Sequence, residues 1–218
     1  KIRNVSYESN QKKLLLKDCN YEINKGDSLC IMGDSGSGKT TFVRLISGLL
    51  KVSSGQIMIN EQDISKYDSF NHNSSFNLDI SYIPQSGNIF SGSILDNVTL
   101  FSQKDVNLNE IDEIFKITLC NEFIKNLPNG INQVINDKSS IKLSGGQKQR
   151  LLIARALYQN SSMIVMDEST NALDKKKEEN LIKNLLDYYE GILILISHRK
   201  NISHLFKRNL IIKDHKLY

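Results

Sequence analysis

A chain of 218 residues suits one large domain, or a core carrying a small subdomain. Its 39% hydrophobic and 24% charged residues are ordinary for a globular protein, and a formal charge of +4 spread along the chain gives nucleic-acid binding no support. Three unclustered cysteines (Cys19, Cys30, Cys120) argue against a disulfide framework or zinc knuckle, and the apolar runs fall well short of the roughly 20 residues of a membrane-spanning helix.

No secretory signal is read at the start, and a first residue of Lys1 rather than methionine leads us to expect a piece of a longer protein. Residues 1 to 32 alternate apolar and polar positions around the turn signals Ser9-Asn10-Gln11 and Asn24-Lys25-Gly26-Asp27, which predicts antiparallel strands. Within them, Ser28-Leu29-Cys30-Ile31-Met32 reads as a buried strand feeding straight into Gly33-Asp34-Ser35-Gly36-Ser37-Gly38-Lys39-Thr40. From Thr40 to Leu50, Phe42, Val43, Leu45, Ile46 and Leu49 recur at helical spacing. Strand, glycine loop and helix together are the context of a phosphate-binding loop. The glycines let successive N–H groups converge on an anion, and the helix start directs a partial positive charge to the same point. Lys39 supplies a full charge for the β- and γ-phosphates, Thr40 a hydroxyl for Mg²⁺, and Thr41 a hydroxyl within reach of the α-phosphate.

Strands are predicted at residues 55 to 60 and 80 to 83, with a polar Ser- and Asn-rich loop from Lys66 to Asp79 between them. Residues 93 to 127 carry helical periodicity (Ile111, Ile114, Phe115, Leu119, Phe123, Ile124) until Leu127-Pro128-Asn129-Gly130 stops it. This stretch reads as a helical subdomain inserted in an α/β core. A helix after Gly146 runs to about Tyr158, and apolar strands at Met163 to Met166 and Ile192 to Ile196 flank a helix from Lys175 to about Tyr189. Alternating helices and all-apolar strands predict a mainly parallel sheet covered on both faces. Asp167 and Glu168 close one of those strands, and ligands in such sheets bind at carboxyl ends of strands. Asp167 suits Mg²⁺ held through water, and Glu168 suits the polarising of an attacking water as general base.

Leu143-Ser144-Gly145-Gly146-Gln147 ends 20 residues before Asp167. Ser144 can accept or donate a hydrogen bond, and Gly145 and Gly146 let backbone amides approach a phosphate at a helix N-terminus. With this pentapeptide between a phosphate loop and an acidic strand end, the chain resembles the nucleotide-binding domain of an ATP-binding cassette (ABC) transporter over nearly its whole length. The resemblance implies an α/β fold: a P-loop NTPase core with a mainly parallel sheet, an N-terminal antiparallel β subdomain and an inserted α-helical subdomain. Residues 1–218 would form one ABC ATPase domain, with the core in 1–92 and 160–218 and the helical part in about 93–159. It implies ATP and Mg²⁺ as cofactors. The signature loop (Leu143 to Gln147) would complete the site of the opposite subunit, so that two cassettes sandwich two ATPs.

Other segments carry the same resemblance. Tyr82-Ile83-Pro84-Gln85 resembles the Q-loop, whose Gln85 would touch Mg²⁺ or the attacking water and sense the membrane partner. Asn171-Ala172-Leu173-Asp174 resembles the D-loop, which communicates across the dimer. Ile196-Ser197-His198-Arg199 is similar to the switch segment, with His198 at the γ-phosphate, 30 residues past Glu168. His72, His204 and His215 have no such context and are expected to be exposed. Asn88 to Val98 is similar to the exporter form of the segment after the Q-loop, a groove wall able to receive a coupling helix.

Two stretches depart from the family pattern. Ser9 stands where an adenine-stacking aromatic is usual, with Tyr7 as the stand-in; losing one such contact removes about 1–3 kcal/mol. Val134 to Ser140 lacks the usual Gly-Glu-x-Gly, leaving Asp137 nearest to the relay glutamate. The resemblance thus implies an exporter-type ATPase domain at the cytoplasmic face of the cell membrane. Its partners would be a second nucleotide-binding domain, as an ATP-bound homodimer, and a transmembrane domain outside this chain, with no nucleic acid. The alternatives are an importer cassette or a soluble ABC ATPase. Those of DNA repair insert long coiled coils where only about 100 residues separate phosphate loop and signature here.

Overall fold

The computed structural model describes residues 1–65, 78–102, 106–136 and 141–218. Most of the loop expected from Lys66 to Asp79, with His72, and the stand-in Asp137 lie outside the described residues. β1 (Ile2–Glu8) and β2 (Leu14–Tyr21) pair antiparallel, and with β4 (Ser54–Ile59) and β5 (Gln62–Asp63) they form a sheet of order β2-β1-β4-β5. β3 (Ser28–Met32) leaves this arrangement, which corrects the expectation of antiparallel strands throughout residues 1 to 32. It is buried along Ser28 to Ile31, so it needs cover on both faces, and it pairs in parallel with β10 (Ile192–Ile196) and β11 (Arg208–Lys213).

The second sheet has the order β12-β11-β3-β10-β9-β6, with β6 as Ile80–Ile83, β9 as Met163–Asp167 and β12 as Lys216–Leu217. Strands β11 and β12 are unassigned in the sequence reading. They are short, and β11 buries only alternate residues, Leu210 and Ile212. Asp214 and His215, at φ 48° and 65°, turn the chain between them, as a tight hairpin requires.

Register decides where the site forms. Ile196 of β10 pairs with Ile31 of β3 and with Asp167 of β9, and Ile83 of β6 pairs with Met166. Gly33, Gln85, Glu168 and His198 therefore leave the sheet within two residues of a strand end, all along one carboxyl edge.

Successive side chains of these strands point to opposite faces. Cys30, Ile164, Met166, Leu193 and Leu195 join one core with α5 (Gly145–Tyr158) and α6 (Lys175–Tyr188). Leu29, Ile31, Val165, Ile194 and Ile196 join the other, with α1 (Lys39–Ile46) and the antiparallel sheet. α1 stops four residues short of the expected Leu50, because Ser47 caps it and Gly48 turns left-handed at φ 68°.

The helical stretch divides into α2 (Ile94–Thr99), α3 (Leu108–Ile117) and α4 (Asn121–Ile124). The first break comes at Leu100 and Phe101, both left-handed. A small ladder joins β7 (Gly92–Ser93) to β8 (Val134–Ile135). α5 buries six consecutive or near-consecutive apolar residues, Leu151 to Ala154 with Ala156 and Leu157, as a helix enclosed on most sides does. No helix among the described residues is long and apolar enough to cross a membrane.

Candidate nucleotide site

The loop between β3 and α1 turns on two glycines that nothing else could replace cheaply. A Cβ at Gly33 (φ 148°) would overlap the Ile212 carbonyl, and one at Gly38 (φ 104°) would meet the Leu15 carbonyl oxygen at 2.9 Å. α1 has no side-chain cap, so its first N–H groups are free of side-chain acceptors and point along the helix axis, where an anion binds. Inside the loop, Lys39 is buried, and its Nζ donates to the carbonyls of Gly33 (2.9 Å) and Asp34 (2.8 Å). Burial holds the amine below the ordinary 10.5, against the pull of Glu168, Asp34 and Asp167. The Ser37 hydroxyl is buried and has no hydrogen-bond partner among the described residues. An open helix start, a buried cation and an unpaired hydroxyl fit a phosphate chain.

Across from the loop, Asp167 is buried and both its oxygens are engaged. The Thr40 hydroxyl donates to Oδ1 at 3.0 Å and the Tyr82 hydroxyl to Oδ2 at 2.6 Å. Burial, then the bond to Asp167, push the Tyr82 phenol up to about 12, so it stays a donor at neutral pH. Arg44 Nε reaches the same phenol oxygen at 3.4 Å. An anionic carboxylate beside a threonine hydroxyl is the oxygen donor set a hard divalent cation takes.

Glu168 adopts φ 51°, an unusual backbone for a residue with a side chain. Its carboxylate is gripped from three segments. His198 Nε2 lies 2.8 Å from Oε1, while Gln85 Nε2 and Asn171 Nδ2 each donate to Oε2 at 3.0 Å. The structure thus brings Gln85, Glu168 and His198 together beside Asp167 and Thr40. Thr41 is half-buried one residue further along α1.

The signature segment forms the start of α5. Leu143 is buried, whereas Ser144 and Gly145 are exposed. Ser144 and Gln147 form a reciprocal cap: Gln147 N donates to Ser144 Oγ at 3.3 Å and Ser144 N to Gln147 Oε1 at 2.7 Å. Gly145 and Gly146 lie against Ala172 and Leu173, and Gln149 Oε1 accepts from the Ala172 N–H at 3.0 Å. Asp174 caps α6 by accepting from Lys177 N. Tyr7 is half-buried on β1 against the core of the antiparallel sheet, and Ser9 closes the β1–β2 turn.

The family model described as ABC transporter matches residues 16–171, from β2 through the phosphate loop and signature to Asn171. The chain belongs to the ABC transporter family. It is 40% identical over 197 residues to an export ATP-binding/permease protein of Rickettsia bellii, covering 90% of this chain and 33% of that protein. It is 34% identical over 202 residues to the mitochondrial iron–sulfur clusters transporter ATM1 of Debaryomyces hansenii, covering 91% and 28%. A bacterial Atm1-family ABC exporter with ATP bound superposes over 100% of this chain and 37% of its own, with a TM-score of 0.86 at 27% identity. The chain therefore spans about a third of the length of these curated relatives. It is the ATP-binding part of an ABC transporter, on the expected fold.

The sequence assigns no individual side-chain role to four residues that the structure ties to the site. Tyr82 and Asn171 were read only as members of loops, yet their side chains hold Asp167 and Glu168. Arg199 and Glu178 pair at 2.7 Å behind the D-loop. Their only signal in sequence was adjacency: Arg199 follows His198, and Glu178 falls one turn into the helix capped by Asp174.

Proposed function

We propose that this chain hydrolyses ATP, with Mg²⁺, to power export through a membrane domain that it does not contain. The observation carrying the proposal is the Glu168 carboxylate, held by His198 and Gln85 at the strand edge that also presents Asp167 and Thr40. The phosphate loop binds the triphosphate through backbone N–H groups and Lys39, with Thr41 near the α-phosphate. Thr40, Asp167 and Gln85 would hold Mg²⁺, which when bound offsets negative charge on the β- and γ-phosphates. Glu168 accepts a proton from the attacking water as its oxygen bonds to the γ-phosphorus; the bond to the β–γ bridging oxygen breaks, leaving ADP and phosphate. His198, against Glu168 Oε1, would fix that carboxylate and contact the γ-phosphate. Tyr7, half-buried on β1, is the aromatic stand-in that would stack on adenine.

The exposed tip at Ser144 supports a dimeric site. Leu143, Ser144, Gly145, Gly146 and Gln147 would close over the ATP of a second copy, and Asn171 to Asp174 would lie between the two sites. A cavity of about 760 Å³ lined by Asn88, Ile89, Ser91, Ile135 and Ile141, beside the half-exposed Phe90, suits a coupling helix from the membrane domain. Residues of about 93–159 would form the helical subdomain, set on a core of 1–92 and 160–218. The names of the relatives favour export over import, and such a domain works at the cytoplasmic face of the membrane.

The test is the association state of Glu168→Gln saturated with ATP and Mg²⁺, followed by light scattering. Trapped substrate should yield a dimer that falls apart when nucleotide is removed; a variant that stays monomeric at high concentration would sink the two-sided site.

A further inference from the structure

Behind the D-loop lies a charged pair to which nothing above assigns a function. Glu178 is fully buried on α6. Its Oε1 accepts from the Thr170 hydroxyl at 2.6 Å and its Oε2 from Arg199 Nη1 at 2.7 Å. The same Nη1 donates to the Leu173 carbonyl at 3.0 Å, and Nη2 donates to the Asn171 carbonyl at 3.0 Å. Arg199 N in turn donates to Ser197 Oγ at 3.0 Å, which pins the backbone on the far side of His198. One guanidinium therefore joins the segment after β10 to two carbonyls of the D-loop and to α6. A planar fork with fixed donors can do this, whereas a lysine, a flexible point charge, cannot reproduce it.

The consequence for Glu168 follows from the neighbours on each side of the clamp. Asn171, whose carbonyl Arg199 holds, donates its side-chain amide to Glu168 Oε2. His198, the residue before Arg199, meets Glu168 Oε1. We infer that Arg199 and Glu178 form a positioning pair that sets the distance between His198 and Asn171, and so aims the Glu168 carboxylate. The inference rests on the reading of Glu168 as general base. Because Ala172 and Leu173 also lie against Gly145, Gly146 and Gln149, the pair ties the aim of this carboxylate to the seating of the chain's own signature tip.

The experiment compares phosphate release and nucleotide affinity for Arg199→Lys and Glu178→Gln, each alone and combined with Glu168→Gln. Either single change should lower turnover about tenfold while nucleotide affinity moves less than about twofold, and the same change should add less than about twofold once Glu168 is already glutamine. Glu178→Gln keeps the shape of the buried side chain, so it serves if Arg199→Lys fails to fold. A full repeat of the loss in the Glu168→Gln background, or affinity falling in step with turnover, would reduce the pair to a structural brace. Should Glu168→Gln alone hydrolyse ATP at the parent rate, the general-base reading falls and takes the positioning role with it. A slow Glu168→Gln with additive losses would overturn the pair only.

Discussion

The carboxyl edge of the parallel sheet and the tip of α5 both present polar groups suited to phosphate, but they are built in opposite ways. At the sheet edge each acidic side chain is held by the chain itself, Asp167 by Thr40 and Tyr82, Glu168 by His198, Gln85 and Asn171. At the helix tip Ser144 and Gln147 cap one another, and Ser144 is exposed. On the proposed reading, hydrogen bonds already fix the acids of the edge, the preorganisation by which electrostatic catalysis avoids reorganisation. On the same reading, the tip would act as a recognition surface whose phosphate is carried on a second copy.

The sharpest way to break that contrast is Glu168→Gln. It should slow phosphate release ~10²–10⁴-fold with nucleotide affinity preserved, since it removes a base without disturbing the phosphate loop. Parent-rate hydrolysis would show the edge is not where the chemistry is done. Ser144→Ala probes the tip. Losing the cap should lower unfolding free energy by about 1 kcal/mol, seen as a small drop in denaturant midpoint. Turnover should fall about tenfold through the loss of one hydrogen bond to a charged phosphate, while affinity of the chain's own phosphate loop holds. If affinity fell instead, the tip would belong to its own site.

The last test concerns pH. Burial lowers the Lys39 amine, and a bound triphosphate would raise it again by direct attraction. The complex then holds a proton that the free chain has lost, so affinity should decline as pH rises through the free amine's value, below the ordinary 10.5. The decline approaches a limit of about tenfold per pH unit. Titrations of nucleotide across the alkaline range would check it, and a flat profile up to ordinary lysine values would show that the amine is not buried in solution.

Local chemistry made much of this legible beforehand. A strand, a glycine loop and a helix must be contiguous to bind phosphate, so Gly33 to Thr40 could be read without the fold. The apolar strands at Met163 and Ile192 announced burial on both faces through composition alone. The parallel pairing of β3 was missed when residues 1 to 32 were read together as antiparallel strands, because its partners lie more than 150 residues away. The hairpin of β11 and β12 was missed because strands this short, half exposed, carry little periodicity.

Motif spacing along the chain determined which residue types reach the site, because their order follows local backbone needs: glycine where the turn is left-handed, serine at a helix start, acids after a buried strand. Tertiary structure alone decided how they are held. The parallel register that pairs Ile196 with Ile31 and Asp167, and Ile83 with Met166, and the guanidinium of Arg199 reaching both Asn171 and Glu178, join residues remote in sequence. Side-chain contacts of that kind depend on packing geometry, which no periodicity within a single segment encodes.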